Sequence, residues 1–356
     1  MSSQILYNMV GVPYRQARLD GGRVFIDAVA QTRAYPLVVK VNKAGICRAD
    51  VKEVQGTRTI KPDEGSVFGH EFIGKIFHSS VDGLEPGMPV TFVPNVTRDR
   101  TTGFAQYFFI NGSNEQLRQA ILPLSPDLTD RDWLPEPFST VINSIDSFMR
   151  HARLSNLTGF KVGVLGAGTA GLEFGFLTTF LGADATIFNR GQARIDFARK
   201  IGFFESSKIR AMSEHTQFAN SFDVVVVAPS IINHDILAIA AELVKNEGYI
   251  DLYGGLSQGL TFFDGDVDVY NIRRLGKSQT CTFNGKRFTS CGAQGSGCRD
   301  FLKAFEYFGR HRTSFPLDRL ISTRIAFADL PATIMRMASS TDPIDFPGRV
   351  LVEFND

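Results

Sequence analysis

Residues 162–171, Val-Gly-Val-Leu-Gly-Ala-Gly-Thr-Ala-Gly, restrict this chain more than any other stretch. A short apolar run leads straight into Gly166, Gly168 and Gly171 at the spacing G-x-G-x-x-G. Between a strand and a helix, each glycine has its own task. The first allows a tight turn, the second lets backbone approach a pyrophosphate, and the third lets helix and strand pack closely. The helix that follows offers the unpaired N–H groups of residues such as Thr169, Ala170 and Gly171 to phosphate oxygens. The pattern therefore predicts a strand over 161–165, a helix over 169–181 and a dinucleotide site at the turn.

The flanking sequence extends this unit. Ala185-Thr186-Ile187-Phe188, Val224-Val225-Val226-Val227 and Tyr249-Ile250-Asp251-Leu252-Tyr253 read as strands, and the four-valine run suits a strand buried on both faces. Helical patterns over 194–200 and 235–245 lie between them, with another over 138–149 before the first strand. Strands alternating with helices indicate a parallel sheet. A last strand is expected near 287–291 and a helix over 300–308. Residues 22–110 have a different texture. Short β-branched and aromatic runs at 23–29, 36–41, 90–93 and 103–110 alternate with turns such as Glu85-Pro86-Gly87, which reads as a β-rich domain. The tail Gly348–Phe354 reads as a strand able to rejoin it.

That first region carries a second chemistry. Gly45-Ile46-Cys47-Arg48-Ala49-Asp50 is followed by Gly69-His70-Glu71, and Glu136 stands between Pro135 and Pro137 just before the dinucleotide unit. A thiolate, an imidazole and carboxylates are zinc donors, and a catalytic zinc takes about three of them and leaves a position open. Cys47, His70 and either Glu71 or Glu136 are the candidate ligands. Asp50 is the natural acceptor for the second ring nitrogen of His70. Cys281, Cys291 and Cys298 form no C-x-x-C pair and have no histidine among them, so they read as free structural thiols.

The second strand of a dinucleotide unit normally ends in a carboxylate that binds the ribose 2′-hydroxyl. Here it ends Ile187-Phe188-Asn189-Arg190. Asn189 is neutral and suits either form of the ribose. Arg190 suits a 2′-phosphate, so NADP(H) is the expected cofactor, with NAD(H) still possible.

With 38 basic and 37 acidic residues the net charge is +1, which argues against nucleic acid or an anionic membrane as partner. No apolar run approaches the roughly 20 residues of a membrane span. Met1-Ser2-Ser3-Gln4 does not open a signal peptide, and only four cysteines occur in 356 residues, so a reducing cytoplasm is expected.

Read together, G-x-C-x-x-D at 45–50, G-H-E at 69–71, Glu136-Pro137, the glycine turn and Gly254-Gly255-Leu256 resemble the zinc-containing medium-chain dehydrogenase/reductase family, in its polyol, glucose and threonine dehydrogenase branch. The resemblance runs along nearly the whole chain. It implies an α/β architecture with a GroES-like β-barrel catalytic domain over 1–137 and 294–356. A Rossmann doubly wound parallel sheet over 138–293 would bind the coenzyme, with the active site in the cleft between them. It implies that zinc is held by Cys47, His70 and Glu71 or Glu136, and that Arg48 contacts the cofactor pyrophosphate. The chain departs from the family in two places. The stretch Phe92–Gly103 has no cysteine, so the structural zinc of many members is not expected. Position 49 is Ala where the family usually has a Ser or Thr that relays the alcohol proton.

The expected activity is hydride transfer between NADP(H) and a secondary alcohol or ketone on a polyol, sugar or similar small molecule, in a homodimer or homotetramer. Loss of the relay hydroxyl keeps a second reading open, a zinc-retaining relative that reduces double bonds or uses the metal without redox. A nucleotide-binding protein without catalysis is the third reading, and intact zinc donors argue against it.

Overall fold

The computed structural model describes residues 9–58, 68–129, 132–340 and 345–354. The N-terminal stretch Met1–Gln4 lies outside them. The chain divides into two compact units, one of residues 1–137, 296–309 and 321–356, the other of 138–295 and 310–320.

The second unit is built on a seven-stranded sheet. Its strands lie in the order Ile209–Ala211, Asp184–Asn189, Lys161–Leu165, Phe222–Val227, Val244–Leu252, Lys286–Gly292 and Ser278–Phe283. The first six are parallel and the last is antiparallel. The run Val224–Val227 is wholly buried, as expected for a strand between neighbours on both sides. Strand order reverses between Lys161–Leu165 and Phe222–Val227, where doubly wound sheets open a crevice at the carboxyl ends of their strands. The helix Thr169–Phe180 begins at this crevice. Gly171 lies so close to the preceding turn that a Cβ there would overlap the Gly166 carbonyl oxygen.

Three details differ from the sequence reading. The expected helix 235–245 ends at Leu243, and Val244 already belongs to the next strand. Lys286 Nζ explains the stop, because it donates to the carbonyls of Ala241, Glu242 and Val244 (2.6, 2.9 and 2.9 Å) and caps the helix end. The single strand expected at 287–291 is one arm of a hairpin, turned at Asn284-Gly285 with φ of 51° and 76°. Two successive positive φ values are what a tight hairpin turn requires, and Asn-Gly supplies them cheaply. Finally, the chain does not return to the first unit once and for all at 294. The return starts at Ser296, and Arg310–Leu320 goes back to the second unit. There the Phe315 ring packs 5.1 Å from Phe138 and 5.0 Å from Phe180, and Arg319 Nη1 donates to the Ile201 carbonyl (3.1 Å).

The first unit holds a second seven-stranded sheet, in the order Ile321–Ala326, Arg349–Glu353, Leu37–Ile46, Phe72–Ser79, Pro89–Phe92 and Ile121–Pro123, with Tyr107–Ile110 also paired to Leu37–Ile46. The tail strand thus rejoins this sheet, antiparallel to Leu37–Ile46, with Val350 opposite Ile46. Its largely aliphatic core includes an aromatic cluster, in which Phe72, Phe92 and Phe108 lie with ring centroids 4.7–5.7 Å apart.

Gly171→Ala is expected to force helix and turn apart at a cost of about 1–3 kcal/mol, as overpacking typically does. The checks are thermal unfolding and retention of a bound nicotinamide cofactor. An unchanged melt with cofactor still bound would show that the turn yields freely.

Candidate metal and cofactor sites

In the first unit the sheet brings distant parts of the sequence to one place. Cys47 ends the strand Leu37–Ile46 and begins the helix Arg48–Val54. His70 and Glu71 stand just before the strand Phe72–Ser79, which pairs with Leu37–Ile46. Cys47, His70 and Glu71 then offer donor atoms that all lie within 4.8 Å of one another. Three donors at that separation suit one ion bound at about 2.0–2.3 Å from each.

The surroundings hold these donors in place. Asp50 is fully buried, and its carboxylate accepts from the backbone N–H groups of Cys47 (2.8 Å) and Gly69 (3.0 Å). The same carboxylate lies 3.6 Å from His70 Nδ1, while His70 Nε2 lies 3.8 Å from Glu71 Oε1. One ring nitrogen therefore faces Asp50 and the other faces the donors, the arrangement that fixes a ligating imidazole. Glu71 is buried and paired with Arg349, which opens the last strand. The motif glycine Gly45 makes room for this pair, since a Cβ there would come 2.7 Å from Glu71 Oε2 and 3.1 Å from Arg349 Nη1. Gly69 turns the chain at φ +64°, and a Cβ there would lie 2.6 Å from the Phe104 nitrogen.

Electrostatics agree with a cation site. Without a metal, burial and the Glu71 charge push the Cys47 thiol up to about 11. Burial pulls His70 down, but hydrogen bonding to Asp50 and Cys47 outweighs it and raises the imidazole well above its usual range. Buried Glu136 adjoins Glu71, and burial together with that neighbouring charge lifts its carboxyl to about 7. Arg349 already meets Glu71, and the raised Glu136 carboxyl and Cys47 thiol are the groups whose charge burial still opposes unless a further cation joins them.

Arg48 follows Cys47, and its Nη1 is buried with no hydrogen-bond partner among the described residues, as suits a group awaiting an anion. Ala49 is half-buried in the same turn. Cys281 and Cys291 are buried in the second unit and Cys298 is half-buried, all as free thiols.

In the second unit, Gly166 takes φ +99° and Gly168 stands at the N-cap of the helix with no side-chain cap, so the first-turn amides of Thr169, Ala170 and Gly171 stay available. Asn189 is 6% exposed and braces this turn. Its Oδ1 accepts from Ala167 N–H (3.0 Å), and its Nδ2 donates to the Gly191 carbonyl (2.8 Å). Much of the amide that was expected to face the ribose is thus used within the protein. Arg190 is exposed.

Sequence reasoning missed two residues. Arg349 is 278 positions from Glu71, and no local pattern links them. Arg194 places its Nη1 3.9 Å from where a Cβ on Gly168 would sit. Its signal was available, as a basic residue in the first turn of the helix Gln192–Ile201 that follows the second strand.

The alcohol dehydrogenase GroES-like domain model matches residues 34–115. A comparison with curated proteins finds no match. Among solved structures, the chain is similar to a protein described as a zinc-binding dehydrogenase from Sinorhizobium meliloti 1021, bound to NADP. The two share 19% identity over 96% of this chain and 99% of the other, with a TM-score of 0.69. Galactitol-1-phosphate dehydrogenase from Escherichia coli is 17% identical over 95% and 99% of the two chains, with a TM-score of 0.68. Acetophenone reductase from Geotrichum candidum, in complex with NAD, is 15% identical over 96% and 97%, also with a TM-score of 0.68. The chain has the fold of the medium-chain dehydrogenase/reductases. In this medium-chain fold the matched GroES-like segment contains Cys47, His70 and Glu71, and the parallel sheet carries the glycine turn.

Freshly purified protein is expected to contain about one zinc per chain, as for a single site of three protein ligands. Cys47→Ala should abolish it, and two zinc ions per chain would contradict a single site. Binding displaces the protons of Cys47 and His70, so zinc retention should fall as pH is lowered. Arg349→Leu should strand a buried carboxylate and destabilise the metal-free protein by about 3–5 kcal/mol. A melt equal to wild type would show that Glu71 does not need its cation.

Proposed function

We propose that this protein is a zinc-dependent oxidoreductase that moves a hydride between a nicotinamide cofactor and a secondary alcohol or its ketone. The observation that carries the reading is the donor trio Cys47, His70 and Glu71 within 4.8 Å, braced by Asp50 and Arg349. When bound, zinc supplies Lewis acidity toward the substrate oxygen and the nicotinamide carries the hydride. Around them, the protein's own residues do the positioning. Asp50 ties Cys47 and Gly69 together and orients the His70 ring. Glu71 is already paired with Arg349, and the adjoining Glu136, lifted to about 7 by burial, offers a second carboxyl to the site. The open amides after Gly168 suit a pyrophosphate. The substrate class is a polyol, a sugar or a similarly functionalised small molecule.

Ala49 favours a second reading, a relative that keeps zinc but reduces an activated double bond or performs no net redox. Oxidation of NADPH with a panel of ketones and enones, and reduction of NADP+ with polyols, separates the two. Turnover with ketones or polyols supports the first reading, and turnover with enones alone supports the second.

The cofactor preference is expected to be NADP(H). No carboxylate stands at the end of the second strand to repel a 2′-phosphate, and Arg190 is exposed there with Arg194 over the glycine turn. A charge-assisted hydrogen bond contributes about 1.5–3 kcal/mol, or about a tenfold to hundredfold preference. The measurement is kcat/KM for both cofactors in wild type and in Arg190→Ala. A wild type that prefers NAD, or an Arg190→Ala variant with unchanged discrimination, would overturn the assignment.

A further inference from the structure

Among the described residues, the donor trio Cys47, His70 and Glu71 does not include Glu136, which comes to the same place from a distant segment of the chain. That segment must be brought to Glu71 and kept there. We propose that Asp132 is a positioning residue for the metal site. Clamped between Lys43 and Arg324, it fixes the arm 132–136 along the strand Leu37–Ile46 and so sets the Glu136 carboxyl beside Glu71, where it can join the ion. The inference rests on the zinc reading above, and all of its residues lie in the first unit.

The arm and the strand keep step. Asp132 Oδ1 accepts from Lys43 Nζ (2.6 Å). Two residues on, Leu134 is buried over Gly45, where a Cβ would overlap its Cδ1. Two residues further, Glu136 adjoins Glu71, whose Oε2 lies 2.7 Å from where that same Cβ would sit. Lys43, Gly45 and Cys47 are themselves spaced by two, the interval at which an extended chain returns to one face, and Cys47 is still extended. Holding Asp132 at Lys43 therefore decides which residue of the arm arrives at the donors. A slip of one position would bring Pro135 or Pro137 there, and neither offers a ligand atom on its side chain.

Asp132 is held from both sides. Its Oδ2 pairs with Arg324 Nη2 (2.5 Å), and Arg324 Nη1 reaches Glu353 Oε1 (3.5 Å). Sheet register supplies these partners, because Glu353 stands opposite Lys43 on one side and Ala326 on the other, two residues from Arg324. An isolated ion pair at a surface contributes little, but this is a half-buried network of two cations and two carboxylates, which water screens less. Burial raises the Asp132 carboxyl, yet hydrogen bonds from Arg324 and Lys43 outweigh it and hold it below its usual range, so the clamp stays charged at neutral pH. The next residue anchors the arm a second time. Trp133 is buried, its Nε1 donates to the Leu128 carbonyl (2.8 Å), and its ring meets Phe308 at 4.2 Å. Trp133 thus packs the arm down, while Asp132 ties it to the strand that leads into Cys47. A carboxyl placed in advance needs little further ordering when an ion binds.

The test uses the full chain loaded with cobalt(II) in place of zinc, because the visible absorption of cobalt reports the atoms bound to it. Asp132→Asn should change the spectrum as Glu136→Gln does. It should also speed zinc release to a chelator about tenfold, the low end for residues that position metal ligands. Lys43→Met should act in the same direction, and Lys43→Arg should keep most of the wild-type behaviour. In the double variant Asp132→Asn with Glu136→Gln, release should be no faster than in Glu136→Gln alone, since the clamp acts through Glu136. Arg336→Gln, which breaks the exposed Arg336–Asp345 pair (2.6 Å), should move neither readout. A wild-type cobalt spectrum in both Asp132→Asn and Lys43→Met, or a tenfold gain that persists on top of Glu136→Gln, would overturn the proposal. If wild type takes up neither zinc nor cobalt, the zinc reading fails. Hydrogen exchange of the metal-free protein then decides the clamp separately. The amides of Trp133, Leu134 and Glu136 should exchange faster in Asp132→Asn than in wild type, and unchanged exchange would overturn the clamp as well.

Discussion

A carboxylate with almost no contact with water is a liability until a cation meets it. Glu71 is such a group, and much of the first unit is arranged around it. Its partner Arg349 comes from the last strand, which must therefore lie beside Leu37–Ile46. That strand in turn must carry glycine at position 45, because any side chain would occupy the space where carboxylate and guanidinium meet. Once these two strands and Phe72–Ser79 are in place, Cys47 and His70 follow within a residue or two, and the donor trio is assembled. The trio is thus paired and oriented by the protein's own side chains, which would reduce the ordering that binding a metal imposes.

Asp50 performs a related task from the other side. A single carboxylate satisfies the backbone N–H groups of Cys47 and Gly69 and faces the His70 ring. The two motifs that carry the candidate metal donors, separated by about twenty residues of sequence, are hinged on one buried side chain. The same economy recurs in the second unit. Asn189 ties the glycine turn to the end of the neighbouring strand through two hydrogen bonds, so a residue expected at the ribose also shapes the phosphate turn. Both cases use a short polar side chain to satisfy backbone groups that no ladder or helix would otherwise pair.

Much of the architecture was legible in the sequence because its signals are local. The run Val224–Val227, the glycine turn and the apolar segments at 185–188 and 249–252 each state their own conformation, and parallel strands joined by helices leave little choice of topology. Asn284-Gly285 was an equally local signal for a hairpin, and it marks the arm Ser278–Phe283 that a search for single strands passes over. The end of the helix at Leu243 was not local at all, because the lysine that caps it lies about forty residues further on.

By itself the sequence determined which chemical groups this protein can bring to a site. Short-range spacing places a thiol, an imidazole and carboxylates in one motif set, and three glycines at a strand–helix turn in another, since backbone geometry dictates both over a few residues. Only the tertiary structure decided which groups face one another. Arg349 reaches Glu71 across 278 residues, Arg310–Leu320 returns to the second unit to bury Phe315, and Thr140 meets Tyr253 because a helix and a strand share a register. Those pairings depend on sheet order and on the packing of whole elements, which no window of sequence contains.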